Sequence, residues 1–464
     1  MTERALRVAV IGSGPSGFYA VEALQKDGRP LEVDMFDRLP TPYGLVRGGV
    51  APDHPKIKSV VRVYDKMAQH PSFRFLGNVA IGRDLSHDEL LAHYDAVIYA
   101  VGAQTDRALG IPGEHLAGSH AATDFVGWYN GHPDYRDHTF DLTQERAVIV
   151  GVGNVAMDVA RILASTPEEL GTTDIADHAL EALAESRVRE IVLLGRRGPV
   201  QAAFTHPELK EFGVLHAADV VVDPADLLLD EASQAALDTT DDTDIRKNVE
   251  LLKVYAERPL AGKQKRVEFR FLTSPLELHG ETAVNAITLG RNHIVVGSNG
   301  DLKAEPTGET EHLATGLVFR SVGYKGVPLA GVPFDERGGT IPNIEGRVVE
   351  ARGSSTVVPG VYVAGWIKRG PSGVIGTNKP DSHATAASLL ADHAAGRLPA
   401  PSGDRAGVDR LLADRQVDVV SFDDWRRLDA VEQERGKLAG RPRVKFTDVA
   451  QMMDVVRRAR TSAE

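Results

Sequence analysis

Val8-Ala9-Val10-Ile11-Gly12-Ser13-Gly14-Pro15-Ser16-Gly17 lies near the start of the chain, and Val148-Ile149-Val150-Gly151-Val152-Gly153-Asn154-Val155-Ala156 repeats its plan in the middle. In each, a short apolar run reads as a buried strand and the residues after it carry helical periodicity. Glycine at the first two turn positions lets backbone approach a pyrophosphate, and a small third residue lets the helix pack on the strand. The helix N-terminus then faces the phosphate charge. One such turn is a weak signal. Two, each between a strand and a helix, predict a chain that holds two dinucleotides.

Working outward, the first unit reads strand, helix over 18–26, and a second strand over 31–36 that ends at Asp37. Asp37 lies 25 positions after Gly12, near the spacing at which a carboxylate meets a ribose hydroxyl. A Pro/Gly-rich loop covers 40–55, a helix is expected around 57–69, and 95–102 is another buried strand ending in glycine. The second unit begins at Arg146, runs through a helix to Leu163, and reaches a strand over 190–194 that ends in Gly195-Arg196-Arg197-Gly198. The 45 positions from Gly151 to Arg196 exceed the roughly 20 of a compact unit, so 166–185 is expected to be an inserted helical excursion. Residues 269–278, 283–289 and 316–321 read as strands.

Residues 361–366 form one more buried strand pattern, with Gly365 near its carboxyl end. That strand is expected to return to the first sheet, making the second nucleotide domain an insertion. The fold class is therefore α/β, with two doubly wound, Rossmann-like nucleotide-binding domains, the second inserted into the first. The expected boundaries are 1–104 and 322–464 for the first domain, with a carboxyl-terminal helical tail, and 105–321 for the inserted one. The tail contains a basic piece, Arg441-Pro442-Arg443-Val444-Lys445, to which the sequence assigns no role.

Composition narrows the class. With 464 residues, 42% apolar and 25% charged, the chain suits a soluble protein of two or more domains. No apolar run is long enough to span a bilayer, and the first twenty residues are better used as strand, turn and helix than as a signal peptide. A cytoplasmic enzyme is expected. The absence of cysteine excludes thiolate catalysis, disulfides and cysteine-held clusters or zinc. The net charge of −12 is concentrated: ten acids and no Lys or Arg lie between Glu211 and Ile245, leaving −2 for the remainder. Such acidity argues against nucleic-acid binding but leaves room for a local basic patch.

An acid after the second strand favours a free ribose hydroxyl, whereas a guanidinium favours a 2′-phosphate. Asp37 and the Arg196/Arg197 pair thus predict FAD on the first unit and NADP(H) on the second, so that the NADP domain is inserted into the FAD domain. Hydride transfer between such cofactors needs positioning rather than a nucleophile. No G-x-S-x-G and no H-E-x-x-H occurs among the 16 histidines. His54, in a Pro-flanked loop, is the histidine singled out. Trp366 is a candidate to stack near the flavin, and Gly370, Gly373 and Gly376 fit a backbone passing close beneath it.

Several stretches carry a family resemblance: Pro40-Thr41-Pro42-Tyr43-Gly44-Leu45-Val46-Arg47, Val50-Ala51-Pro52-Asp53-His54-Pro55-Lys56, the second glycine turn, Gly195-Arg196-Arg197-Gly198-Pro199, and the run from Gly365 to Lys379. In order and over nearly the whole chain, they resemble the adrenodoxin reductase-like ferredoxin–NADP(+) reductases, closest to the bacterial NADPH–ferredoxin reductases. The resemblance implies a flavoprotein that accepts hydride from NADPH and passes single electrons to an acidic ferredoxin, which can in turn feed a cytochrome P450. It implies FAD contacts at Ser16, Asp37, Leu45, Val79, Trp366, Gly373, Val374 and Ile375, to which the first glycine turn itself adds Gly12, Gly14 and Gly17. It implies NADP contacts at Arg107, Gly153, Asn154, Val155, Ala156, Arg196, Arg197, Glu208 and Gly373. The catalytic residues it implies are His54 and a carboxylate, Glu211, with Glu208 as the nearby alternative. No metal is expected. The ferredoxin face is expected to be basic, with Arg246, Lys247, Lys263, Lys265, Arg266, Lys368 and Arg369 as candidates, and the protein to be a monomer without membrane insertion. The rival functions are an NADPH-dependent flavin monooxygenase and a non-enzymatic NADP-binding redox sensor.

Overall fold

Strands that are apolar on both faces need helices on both sides, and here they assemble into two parallel-sheet units. The computed structural model describes residues 4–373 and 375–461. One unit takes the chain up to Val50, His54–Thr105 and the chain from Gly323 onward; the other takes Ala51–Asp53 and Asp106–Val322.

In the first unit, seven strands lie in the order Asn343–Ile344, Arg347–Val349, Val357–Val363, Ala96–Tyr99, Leu6–Ile11, Leu31–Phe36, Phe73–Leu76. The last five run parallel, with Val8 opposite Ala96 and Val33, and Val361 opposite Val97. The late strand thus returns to the sheet where the chain began. Successive side chains of Leu6–Ile11 supply two separate cores: Leu6, Val8 and Val10 join one apolar cluster, Ala9 and Ile11 another. Helices Pro15–Lys26 and Asn378–Ala394 cover the first face through Phe18, Ala386 and Leu389. The tail folds back onto both faces. Val408 and Leu412 of helix Arg405–Asp414 enter one core, and Phe422, Trp425 and Leu428 of helix Phe422–Leu438 enter the other.

The second unit has six parallel strands in the order Ser119–Ala121, Leu317–Arg320, Arg146–Val150, Glu190–Leu194, Lys265–Arg270, Ala218–Val222. A separate antiparallel sheet of Thr273–His279, Ala286–Val296 and Leu302–Ala314 follows. The excursion expected at 166–185 is two short helices, Pro167–Leu170 and Asp177–Ala184.

Two expected elements divide. The strand read over 269–278 is broken, because Leu272 adopts a left-handed φ of 52° and donates its N–H to the Arg197 carbonyl at 3.1 Å. Its two halves therefore belong to different sheets. The helix expected at 57–69 is two pieces, Pro55–Lys58 and Val61–Ala68. Among the described residues, no helix is long and apolar enough to cross a membrane.

Candidate functional site

In the first unit the glycine turn sits at the carboxyl end of the central strand, where ligands of open α/β sheets bind. Two of its glycines are required by the chain itself. A Cβ on Gly12, whose φ is 103°, would lie 2.5 Å from the Ala100 carbonyl oxygen, and one on Gly17 would lie 2.2 Å from that of Gly12. Gly14 caps helix Pro15–Lys26 with no side chain engaging the first N–H groups. That helix end presents donors of the kind a phosphate accepts.

Asp37 follows the neighbouring strand and accepts from the Ser13 N–H at 3.0 Å and from the Ser13 hydroxyl at 2.5 Å. Burial pushes its carboxyl upward in pKa against the pull of the bonds from Ser13 and Leu39. The Val79 N–H donates to the Asp37 carbonyl at 2.9 Å, and the Tyr43 N–H donates to the Ser13 carbonyl at 3.0 Å. These bonds gather Asp37, Val79 and the loop carrying Leu45 around one turn. Leu45 is 40% exposed. Ser16 donates to Asn378 at 3.1 Å, and Gly365 sits so close that a Cβ there would meet the Ser16 Oγ at 2.1 Å.

Trp366 opens helix Trp366–Arg369 rather than ending the strand. Its ring lies 5.4 Å from that of Tyr324, and its buried Nε1 has no partner among the described residues. An unspent indole donor beside a glycine turn suits a ligand carbonyl or ring nitrogen. Gly373 is sterically required, since a Cβ would lie 2.4 Å from the Thr377 Oγ1; Gly370 and Gly376 have nothing within 4 Å. Left-handed backbone accounts for Gly370 (φ 83°) and Gly373 (φ 80°), and the Thr377 side chain crowds Gly373 as well, whereas nothing within the chain requires Gly376. Ile375 begins the short turn Ile375–Thr377, and Val374 lies outside the described residues.

In the second unit, Gly153 caps helix Asn154–Ala164, again without a capping side chain. The Asn154 side chain instead accepts from the Thr205 N–H at 2.9 Å. Val155 and Ala156 fall in the first turn of the same helix. Arg196 and Arg197 follow strand Glu190–Leu194 and are exposed. Their turn is fixed from behind: the Asn292 amide donates to the Arg196 carbonyl at 2.9 Å. Asp226 pairs with Arg291 at 2.6 Å and accepts from the Phe271 N–H at 2.7 Å. Arg107 is exposed beyond strand Thr105–Asp106.

Helix His206–Glu211 brings Glu208 and Glu211, three residues apart, to one face. Both meet Arg161, which the sequence reading missed. Arg161 is 3% exposed and lies 3.1 Å from Glu208, 3.3 Å from Glu211, 2.7 Å from Asp158 and 2.6 Å from Asp53. Asp53 belongs to the Asp-His-Pro motif, so the guanidinium anchors the residue preceding His54. His54 is buried and begins helix Pro55–Lys58. The one sequence signal for Arg161 was the i,i+3 charge pair with Asp158 inside an otherwise apolar helix pattern.

The expected docking cations are committed within the chain. Lys265 donates to the Leu163 and Ser165 carbonyls at 2.7 and 3.1 Å, and burial pulls its pKa down to about 8. Lys263 donates to the Leu215 carbonyl, and Arg246 to those of Leu237, Asp238 and Thr240. Lys247 faces Asp244, Arg266 pairs with Glu190, and Lys368 with Asp381 at 2.9 Å. Arg369 donates to Asn378 at 2.8 Å. Each thus has a partner within the chain, although Lys247 and Arg266 keep exposed side chains.

A relative named NADPH-ferredoxin reductase FprA, from Mycobacterium leprae (strain TN), is 48% identical over 97% of this chain and 98% of its own. The chain belongs to the adrenodoxin reductase-like ferredoxin–NADP reductases. Within that family it is also 41% identical, over 97% of its length and 91% of the relative's, to the mitochondrial NADPH:adrenodoxin oxidoreductase of Salvelinus fontinalis. A longer relative from Mycobacterium bovis, named a probable ferredoxin/ferredoxin–NADP reductase, is 46% identical over 97% of this chain but 75% of its own. The solved structure of Mycobacterium tuberculosis FprA in complex with NADPH superposes with a TM-score of 0.90 at 48% identity, covering 98% of this chain and all of the other. The family profile described as Pyridine nucleotide-disulphide oxidoreductase matches residues 6–194. This member of the ferredoxin–NADP reductases has no cysteine, so the redox disulphide in that description has no counterpart here.

Proposed function

We propose that the protein is an FAD-dependent NADPH–ferredoxin reductase, taking hydride from NADPH and releasing electrons one at a time to a ferredoxin. One observation carries this beyond the relatives' names. Two helices with uncapped glycine N-termini, Gly14 and Gly153, stand at the carboxyl ends of two different parallel sheets. One is flanked by a carboxylate and the other by two guanidinium groups.

The residues present fit the two groups. On the first unit, the Gly14 helix end would hold the FAD pyrophosphate and Asp37 its ribose. Leu45, Val79, Trp366, Gly373 and Ile375 would border the isoalloxazine, with the Trp366 N–H as the unspent donor. On the second, the Gly153 helix end would hold the NADP(H) pyrophosphate, and Arg196 and Arg197, with Arg107, would bind phosphate charge. When bound, FAD supplies the exchange between a two-electron donor and a one-electron acceptor. The chain's own work is orientation, exclusion of water and control of charge. His54 and Glu211 are the proposed catalytic residues, with Glu211 and Glu208 held by Arg161. A ferredoxin that feeds a cytochrome P450, a cytoplasmic setting and a monomeric state complete the reading.

Spectroscopy under nitrogen tests it. The purified protein is expected to be yellow, to bleach on stoichiometric NADPH more readily than on NADH, and to recover colour when oxidised ferredoxin is added. A yellow protein that NADPH does not bleach would favour the redox sensor. Bleaching that only oxygen and an organic substrate reverse would favour the monooxygenase.

A further inference from the structure

The stretch Tyr43–Arg47, a turn leading into helix Leu45–Gly48, holds Tyr43 in a conformation that a non-glycine residue does not favour. Tyr43 has φ 86° and Gly44 φ 49°, and a non-glycine residue with positive φ costs on the order of 1 kcal/mol or more unless its surroundings enforce it. The loop also lies against the first glycine turn: a Cβ on Gly44 would come 2.9 Å from the Gly14 Cα. Whatever occupies that turn has Tyr43–Leu45 as a neighbour.

The enforcing contacts come from the tail. The Trp425 indole donates to the Tyr43 hydroxyl at 3.2 Å, and the hydroxyl donates to Asp65 at 2.5 Å. At the other end of the loop, Arg47 makes a two-pronged pair with Glu432 at 2.8 and 2.5 Å and lies 5.2 Å over the Trp425 ring. Glu432 is fully buried. Burial pushes its carboxyl upward, but Arg47 and Arg443 prevail and hold it below the usual range. The basic piece of the tail is part of the same device: Arg443 bonds Glu432 at 3.1 Å, the Phe446 N–H donates to Glu432 at 2.9 Å, and Lys445 donates to the Arg47 carbonyl at 3.4 Å.

We propose that helix Phe422–Leu438 and the basic strip after it position the FAD-contacting loop, with Glu432 and Trp425 as the positioning residues. The proposal rests on the reading that FAD binds the first unit. It predicts that the tail acts through flavin affinity and geometry. A buried bidentate carboxylate–guanidinium pair is among the strongest hydrogen-bonded contacts available to fix a loop.

The test uses the full chain stripped of FAD and refilled, with binding followed by flavin fluorescence and the visible spectrum. Glu432→Gln is expected to weaken FAD binding about tenfold to a hundredfold, and Trp425→Phe about threefold to tenfold. In both, the fine structure of the visible flavin band is expected to blur. Arg457→Ala, which removes an exposed tail pair with Asp418, is expected to change neither. Folded variants that bind FAD as tightly as the parent with the same spectrum would overturn the proposal, as would an equal loss in Arg457→Ala. Should Glu432→Gln fail to fold, Trp425→Phe decides, because it keeps an aromatic side chain while removing the indole N–H. Failure of the parent protein itself to bind FAD would instead overturn the flavin assignment.

Discussion

At the scale of single residues, glycines of the same motif separate into those the chain needs and those a ligand needs. Gly151 has φ 131° and would place a Cβ 2.2 Å from the Ser321 carbonyl oxygen, whereas Gly153 has nothing within 4 Å. Gly151→Ala is expected to lower the thermal midpoint of the unliganded protein, a cost of about 1–3 kcal/mol for a forced backbone. Gly153→Ala is expected to lower that midpoint only slightly, alanine being a poorer helix N-cap than glycine, and to weaken NADP+ binding tenfold or more, because its Cβ would stand where backbone must meet pyrophosphate. Calorimetry with and without NADP+ checks both, and a Gly153→Ala protein that binds NADP+ normally would remove that turn from the site. Arg197→Ala addresses the same site from the other end. Its apparent KM is expected to rise for NADPH and stay nearly constant for NADH, since only NADPH carries the 2′-phosphate; steady-state kinetics with both nucleotides reads this directly. Arg161 has four carboxylate partners to lose. Arg161→Met would strand Asp53, Asp158, Glu208 and Glu211, and breaking such a buried pair costs about 3–5 kcal/mol. Denaturant unfolding should show that deficit at neutral pH and a smaller one in acid, where stranded carboxylates take up protons.

At the scale of elements, the sequence was legible wherever a local rule sufficed. Leu6–Ile11, Arg146–Val150 and Glu190–Leu194 are buried runs bounded by glycine, and both glycine turns sit where strand meets helix. What stayed hidden needed long-range partners. The break at Leu272 depends on the Arg197 carbonyl and on Asp226, distant positions no periodicity reports. Arg161 looked like one charge in an apolar helix, because three of its four carboxylates come from other segments. Lys265 hid its contacts for the same reason: it reads as surface until the carbonyls that close helix Asn154–Ala164 are found beside it. Glu22 shows how one residue joins elements. It pairs with Lys26 on its own helix and with Lys379 and His383 of helix Asn378–Ala394. Burial raises its pKa, but these cations prevail and bring it down to about 2. A carboxylate depressed in the fold stabilises above its unfolded pKa, near 4.5, and that contribution drains away as pH falls toward 2. Glu22→Gln is therefore expected to cost on the order of 1–2 kcal/mol at pH 7, discounted for the exposed lysines, and nothing near pH 2. Urea midpoints of both proteins across that range check the sign.

At the scale of the whole molecule, the two units have separate cores. The largest apolar cluster lies in the inserted unit, around Phe125, Ile149, Ile162 and Phe269, and two others flank the first unit's sheet. Separate cores imply that each dinucleotide stabilises the unit that holds it, by about 2.7 kcal/mol at a hundredfold excess over Kd. Amides that exchange only when that unit opens should then slow about a hundredfold, because opening becomes less frequent by that free energy. Hydrogen exchange on the full chain resolves the two cases by position. FAD added to the flavin-free protein is expected to protect segments around 12–17, 37–47 and 365–378. NADP+ is expected to give its strongest protection around 151–156 and 195–198, in the unit carrying Arg196 and Arg197. The assignment depends on the contrast between one carboxylate and two guanidinium groups at matching strand ends, and on nothing in the shared glycine plan. Strongest protection by NADP+ at 12–17, or by FAD at 151–156, would reverse it while leaving the fold and the family untouched.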